Sequence, residues 1–229
     1  MGGCLGITVD LWVWALRPGD SDELERFVSM EERARAARFV DPERGALYTC
    51  AHGLMRRALS AYSAARPEDL CFETGAYGKP ALKGGPHFNL SHSGRWAVLA
   101  VCWDGPVGVD VECHRPYDHG IVAHFFSEGE QAELSGVPEQ DQAEAFFRVW
   151  SRKEAVIKEL GFGLSMPLDS FDVSAGHEAL LRRMAPEYGN AADWRMHSFQ
   201  PAVQVAGAIA VRTFGQPIHV RQRAGETLA

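Results

Sequence analysis

Apolar and polar residues repeat with two different periods along this chain, and each change of period marks an element. From Ile7 to Leu16 the residues are rich in Val and Trp, the habit of a strand. Arg17-Pro18-Gly19-Asp20 breaks that run, and Ser21 is placed to cap a short helix with Leu24, Phe27 and Val28 on one face. Glu31 to Phe39 reads as a second helical piece carrying Arg33, Arg35 and Arg38. Asp41-Pro42 then opens a helix from about Glu43 to Ala64, with Leu47, Leu54, Met55 and Leu59 as its apolar stripe. Leu70 to Phe72 is a short strand, and Gly75 to Pro80 a turn-rich loop. Trp96 to Val101 reads as a buried strand. Asp104-Gly105 supplies a turn into Val107–Glu112, so a hairpin of these two strands is expected, with His87–Ser93 as a loop beside the acid-bearing end.

Beyond Glu112 the pattern turns irregular through Gly120. Ser127-Glu128-Gly129-Glu130 is a capping box opening a short helix. Asp141 to Leu160 is a long helix burying Phe146, Val149, Trp150, Ile157 and Leu160. Phe171–Val173, Trp194–Phe199 and Val203–Val211 read as antiparallel strands, and from Gly215 the chain looks like a loose tail. Strands and helices do not alternate as βαβ units, so the class is α+β. Two halves of similar order suggest a pseudo-repeat: 1–105, then 106–214, then a tail at 215–229.

Composition narrows the function. The chain has 229 residues, 46% of them hydrophobic and 23% charged, an ordinary globular balance. A formal charge of −7 argues against a general binder of nucleic acid or of anionic membranes. Five cysteines, Cys4, Cys50, Cys71, Cys102 and Cys113, include no Cys-x-x-Cys pair, which points to a reducing cytoplasm. The first residues lack a basic region, and Asp10 interrupts the apolar run that a signal peptide needs. Gly6 breaks the myristoylation pattern. No stretch approaches the roughly 20 apolar residues that span a membrane.

The candidate chemistry centres on Pro106-Val107-Gly108-Val109-Asp110-Val111-Glu112. In a strand, residues i and i+2 share a face, so Asp110 and Glu112 project together. Paired carboxylates suit a hard cation such as Mg²⁺. A third acid, Glu154, and Lys158 lie four apart on the long helix and share its face, where the plain reading is an ordinary helix ion pair. Lys153 reads as a snorkelling helix lysine.

Several stretches occur in one order: Gly78-Lys79-Pro80, His87-Phe88-Asn89-Leu90-Ser91-His92-Ser93-Gly94-Arg95-Trp96, Val107 to Glu112, Phe125-Phe126-Ser127, Trp150-Ser151-Arg152-Lys153-Glu154-Ala155, and Gly163 to Phe171. The set resembles the surfactin-type (Sfp-type) 4'-phosphopantetheinyl transferases from about Phe27 to Phe171. The resemblance implies two similar α+β halves in a pseudo-twofold arrangement, with coenzyme A in the cleft between them. It implies transfer of the phosphopantetheine arm of coenzyme A to a serine of an apo carrier protein, with release of adenosine 3',5'-bisphosphate. It implies Mg²⁺, or Mn²⁺ in its place, on Asp110, Glu112 and Glu154. Asp110, Glu154 and Lys158 would serve catalysis, Glu154 also as proton acceptor. Lys79, Pro80, Ser91 and His92 would meet the phosphates. Arg35 matches a family lysine near the 3'-phosphate, whereas Glu32 and Leu47 stand where the surfactin enzyme is basic, which turns attention to Arg44 or Arg56. A monomer is expected. The carrier would meet His114 to Phe126 through Tyr117, Ile121, Phe125 or Phe126.

Three rivals remain at this point. A non-catalytic module binding coenzyme A or a carrier would not need Glu154. A metal-dependent phosphodiesterase would need a second acid set. A zinc hydrolase would draw on His87, His92, His114, His119 and His124, whose spacing lacks a helical His-x-x-x-His pair.

Overall fold

The computed structural model describes residues 6–75 and 77–223. In chain order the elements are β1 (Ile7–Ala15), α1 (Ser21–Leu24), α2 (Met30–Ala36), α3 (Pro42–Ser60), β2 (Phe72–Thr74), β3 (Pro80–Leu82), β4 (His87–Ser93), β5 (Trp96–Cys102) and β6 (Val107–Cys113). They continue with α4 (His119–Phe125), α5 (Glu128–Ser135), α6 (Glu139–Leu160), β7 (Phe171–Val173), β8 (Leu181–Met184), β9 (Trp194–Phe199), β10 (Val205–Arg212) and β11 (Ile218–Arg223). Helices and sheets occur in both halves, and the class is α+β.

The strands form a four-stranded sheet in the order β11-β1-β5-β4, a three-stranded sheet β6-β10-β9, and two ribbons, β2-β3 and β7-β8. The period-2 alternation gives each large sheet two buried faces. Trp14, Ala97, Leu99 and Val101 pack under α3 with Ala51, Met55 and Leu59. The alternate residues Val9, Leu11, Val98 and Ala100 meet Val107, Val109, Val111, Ile209 and Val211 of the second sheet. The far face of that second sheet, with Ala208 and Ala210, packs under α6 with Phe146, Val149, Val156 and Ile157. The order of layers is therefore helix, sheet, sheet, helix.

Two expectations are corrected here. The hairpin is β4–β5, closed through Gly94 at φ 54°, and His87–Ser93 is a strand rather than a loop. β5 pairs with β1 on one edge and β4 on the other, so it has no edge left for β6, which pairs with β10. The supposed tail also forms a strand: β11 runs parallel to β1, with Ile218 and Val220 facing the inter-sheet core. Arg221 and Arg223 then reach the buried Asp10, at 2.6 and 3.5 Å. A buried carboxylate needs such cations, and they come from the last described strand. Cys4, in the opening segment, and the end of the chain from 224 lie outside the described residues.

Smaller differences have local causes. Asp20, after a 3-10 turn, holds the cap position of α1, and Ser21 is its first residue. Part of the stretch expected to be irregular is α4, capped by the Asp118 side chain on the Gly120 N–H. Lys153 does not snorkel. Its ammonium is fully buried, 2.7 Å from both oxygens of Glu130 and 2.8 Å from the Phe171 carbonyl. Glu130 completes the Ser127 capping box and also accepts from the Val173 N–H, so one ion pair ties α5, α6 and β7 together.

Candidate active site

β6 turns Gly108, Asp110 and Glu112 toward α6. A Cβ on Gly108 would collide with the Ala155 carbonyl, so the strand and the helix meet backbone to backbone at this point. That close approach sets Glu154 and Lys158 of α6 against the acids of β6.

β4 lies on the other side of β6 and joins it through side chains instead of a ladder. The Asn89 Oδ1 accepts from the Val109 N–H at 2.8 Å, the Ser91 Oγ from Val111 at 3.4 Å, and the Ser93 Oγ from Cys113 at 3.1 Å. The same hydroxyls donate to the acids: Ser91 to Asp110 Oδ1 at 2.7 Å, Ser93 to Glu112 Oε2 at 2.9 Å. Ser91, His92 and the acid pair are thus neighbours, as expected, though a seam between two sheets brings them together.

Lys158 does not pair with Glu154. It donates to Asp110 Oδ1 at 2.6 Å and to Ser91 Oγ at 2.9 Å. Arg115 donates to Glu112 Oε2 at 2.9 Å. The other oxygen of Asp110, Oδ2, is buried with no hydrogen-bond partner. Burial pushes the Asp110 carboxyl upward, and Glu112 adds to this against the pull of Lys158. Burial, then the charges of Asp110 and Glu112, raise Glu154 to about 7, with Lys158 opposing. Three mutually repelling carboxylates and one bare buried oxygen fit a hard divalent cation by donor chemistry. As the side chains stand, no three His, Cys, Asp or Glu among the described residues are gathered into a metal-binding group.

A cleft of about 670 Å³ opens along α2 and α3, lined by Glu31, Glu32, Arg35, Arg38, Phe39 and Tyr48 among others. The Arg35 guanidinium lies 5.6 Å from the centre of the Tyr48 ring, and the His92 ring meets Tyr48 edge-on at 6.4 Å. Desolvation within the cleft, then the charges of His52, Lys158 and Arg35, hold the His92 imidazolium below its usual pKa. Arg44 is exposed on the first turn of α3, 3.9 Å from Asp41, and does not line the cleft. Arg56 is buried and donates to Glu32, to the Pro67 carbonyl and to the Leu70 carbonyl, so it is not available to a phosphate. Leu47 packs at the margin of the α3 core.

Lys79 stands apart from the acids. Its ammonium donates to the Val107 carbonyl at 3.0 Å and the Glu159 carbonyl at 3.1 Å, linking the loop before β3 to β6 and α6. Burial lowers it to about 8, while the Glu159 charge acts in the other direction. Pro80 opens β3. Sequence reasoning missed Ser93, Arg115 and Tyr48, and it reads His52 as a packed or surface histidine of α3; the ring does pack, stacked on Tyr48. The polar alternation Asn89-x-Ser91-x-Ser93 in a strand of otherwise apolar neighbours was the available signal for Ser93.

The fold and site define a two-part transferase, and two family models match its consecutive portions. One, described as "4'-phosphopantetheinyl transferase, N-terminal", matches residues 13–104. The other, "4'-phosphopantetheinyl transferase superfamily", matches residues 106–211. The chain is 34% identical over 201 residues to the 4'-phosphopantetheinyl transferase ffp of Bacillus subtilis, covering 87% of this chain and 89% of that one. It is 38% identical over 190 residues to psf-1 of Bacillus pumilus, with coverage of 81% and 80%. Against Sfp of Bacillus subtilis the identity is 33% over 208 residues, with 88% and 92% covered. The chain belongs to the 4'-phosphopantetheinyl transferase superfamily. It is an enzyme that moves the phosphopantetheine arm of coenzyme A to carrier proteins.

Proposed function

We propose that Asp110, Glu112, Glu154 and Lys158 form the centre at which this transfer occurs. The carrier serine oxygen attacks the β-phosphorus of the coenzyme A pyrophosphate and forms the new O–P bond. The bond from that phosphorus to the bridging oxygen breaks, and adenosine 3',5'-bisphosphate leaves with the electron pair. Glu154 takes the serine proton. Placement fits it to that role: the close approach of α6 to β6 sets Glu154 against the acids of that strand. Lys158, held between Asp110 and Ser91, offers a positive charge to the oxygen that leaves. The observation that carries this reading is the juxtaposition of Glu154, Asp110 and Lys158 across the Gly108–Ala155 contact.

Asp110, Glu112 and Glu154 would hold the Mg²⁺ or Mn²⁺ ion. Bound there, the ion supplies positive charge to the pyrophosphate oxygens. The bare Oδ2 of Asp110 supports this assignment. Arg35, Ser91 and His92 are the proposed phosphate contacts, with Arg44 reaching in from the exposed first turn of α3 outside the cleft. Lys79 and Pro80 are proposed phosphate contacts as well, and the Lys79 ammonium reaches a phosphate only by exchanging its bonds to the Val107 and Glu159 carbonyls.

The carrier is proposed to dock on α4 and the start of α5. Ile121 and Phe125 are half-buried there, whereas Phe126 is buried and Tyr117 stacks on Phe146 at 4.3 Å. Of the four candidates only Phe126 is buried, which leaves half-buried Tyr117, Ile121 and Phe125 for an apolar contact. No helix of the described residues is long and apolar enough to cross a membrane. The four cysteines among the described residues are free thiols, which supports a reducing cytoplasm, and a monomer is proposed.

The test is mass spectrometry of purified apo carriers of peptide-synthase, polyketide-synthase and fatty-acid type, incubated with coenzyme A and Mg²⁺. A gain of one phosphopantetheine, stopped by EDTA and restored by Mg²⁺, is expected. No gain on any of the three, or indifference to chelation, overturns the corresponding part.

A further inference from the structure

Glu32 is an acid at the edge of an anion-receiving cleft, which is the wrong sign for a phosphate contact. The chain binds it at both oxygens instead. Its Oε2 accepts from Arg56 Nε at 2.7 Å and from the Ser29 N–H at 2.7 Å. Its Oε1 lies 2.9 Å from His52 Nδ1. A carboxylate only accepts, so the proton of that contact sits on Nδ1 and the plane of the imidazole is fixed. The His52 ring then lies over Tyr48, with centroids 4.0 Å apart and planes 27° from parallel. Tyr48 is buried, and it stands between the Arg35 guanidinium and the edge of His92. An unbroken line of contacts runs from Glu32 through His52 and Tyr48 to the two groups that face the phosphates.

We propose that Glu32 and His52 are positioning residues for coenzyme A. Glu32 sets the His52 ring, His52 sets Tyr48, and Tyr48 sets the spacing of Arg35 and His92. Neither residue touches the reacting atoms. The inference rests on the reading above that coenzyme A occupies this cleft. It explains how an acid comes to stand among cations at the cleft wall: its charge is answered inside the protein by Arg56 and His52, and it presents no free oxygen to the ligand. A role in packing alone would lower stability and disturb both substrates alike. A positioning role affects coenzyme A and spares the carrier.

The test uses the full chain, titrated with coenzyme A by calorimetry and assayed for KM toward coenzyme A and toward an apo carrier. His52→Ala removes the ring that braces Tyr48. His52→Phe keeps a flat ring and loses the bond to Glu32. Glu32→Gln serves in place of Glu32→Ala because it removes the charge but keeps an acceptor oxygen for Arg56 and the Ser29 N–H. His52→Ala is expected to weaken coenzyme A binding by roughly 5- to 10-fold, as loss of an aromatic stack does. His52→Phe and Glu32→Gln are expected to show smaller losses, with the KM for the carrier and the turnover at saturating coenzyme A within about twofold of wild type. In the histidine ¹⁵N spectrum of the wild type, His52 should carry its proton on Nδ1. Coenzyme A binding within twofold of wild type in His52→Ala overturns the inference, as does an equal rise in both KM values. Failure of the wild-type chain to bind coenzyme A would instead overturn the reading of the cleft itself.

Discussion

Gly108 and Ala155 touch through their backbones: a methyl group added at 108 would overlap the Ala155 carbonyl and stand 2.5 Å from the Glu159 nitrogen. No rotamer change relieves a clash between main chains, so α6 must move outward. Gly108→Ala is expected to cost roughly 1–3 kcal/mol of stability. It should also lower turnover more than it changes the coenzyme A requirement, because Glu154 and Lys158 ride on the displaced helix. Denaturant unfolding and steady-state kinetics check both, and unchanged turnover would separate the contact from catalysis.

The Lys153–Glu130 pair is enclosed on all sides, beneath the rings of Phe126 and Phe171. Lys153→Met leaves a buried carboxylate with no cation, a loss of about 3–5 kcal/mol. Replacing both partners, with Glu130→Leu added, should restore much of that loss, since the unpaired charge is then gone. Chemical denaturation of the single and double variants measures the difference.

Glu154→Gln removes the proposed proton acceptor and keeps the shape. Transfer should fall by at least about 100-fold, while calorimetry still detects coenzyme A binding. A variant that transfers at the wild-type rate would remove Glu154 from the chemistry.

Lys79→Met leaves the Val107 and Glu159 carbonyls without their charged donor. The expected cost is about 1.5–3 kcal/mol, the range for hydrogen bonds to a charged group. The KM for coenzyme A should rise more than that for the carrier. A stable variant with an unchanged coenzyme A titration would show that the lysine is dispensable to both.

Acid should weaken the N-terminal half through Glu32. Burial favours its neutral form, but the bond from His52, the Ser29 N–H and the Arg56 charge outweigh this and lower it from 4.5 to about 2. A carboxyl depressed on folding contributes stability above its unfolded value, and that contribution is lost as pH falls from about 4.5 toward about 2. Allowing for solvent screening, the size is on the order of 1–3 kcal/mol. Glu32→Gln should flatten the acid limb of the stability profile, and an unchanged limb would assign the loss to other carboxylates.

The sequence disclosed whatever depends on near neighbours. Val and Trp richness along Ile7–Ala15 and the β-branched run in Val107–Cys113 marked both strands, and Ser127-x-x-Glu130 marked the capping box that forms. The ordered motifs singled out Asp110, Glu112, Glu154, Ser91, His92 and Lys158, which the fold gathers at the seam of β4, β6 and α6. Partners chosen across long separations were not legible. Nothing local says that β5 uses both its edges within one sheet, or that Lys158 prefers Asp110 to the glutamate one turn away. Burial decided both: Asp110 is enclosed and needs a cation more than the half-buried Glu154 does. The short α4 was hidden because its seven residues include three with weak helical tendency, His119, Gly120 and His124.

β11 seals the edge of the sheet whose opposite border carries Ser91 and His92. During synthesis the ribosome therefore releases β1 with one flank bare, and that flank stays uncovered until residue 223 has emerged. β1 thus gains its second neighbour late, and any nascent fragment that stops short of β11 leaves that border of the sheet unpaired.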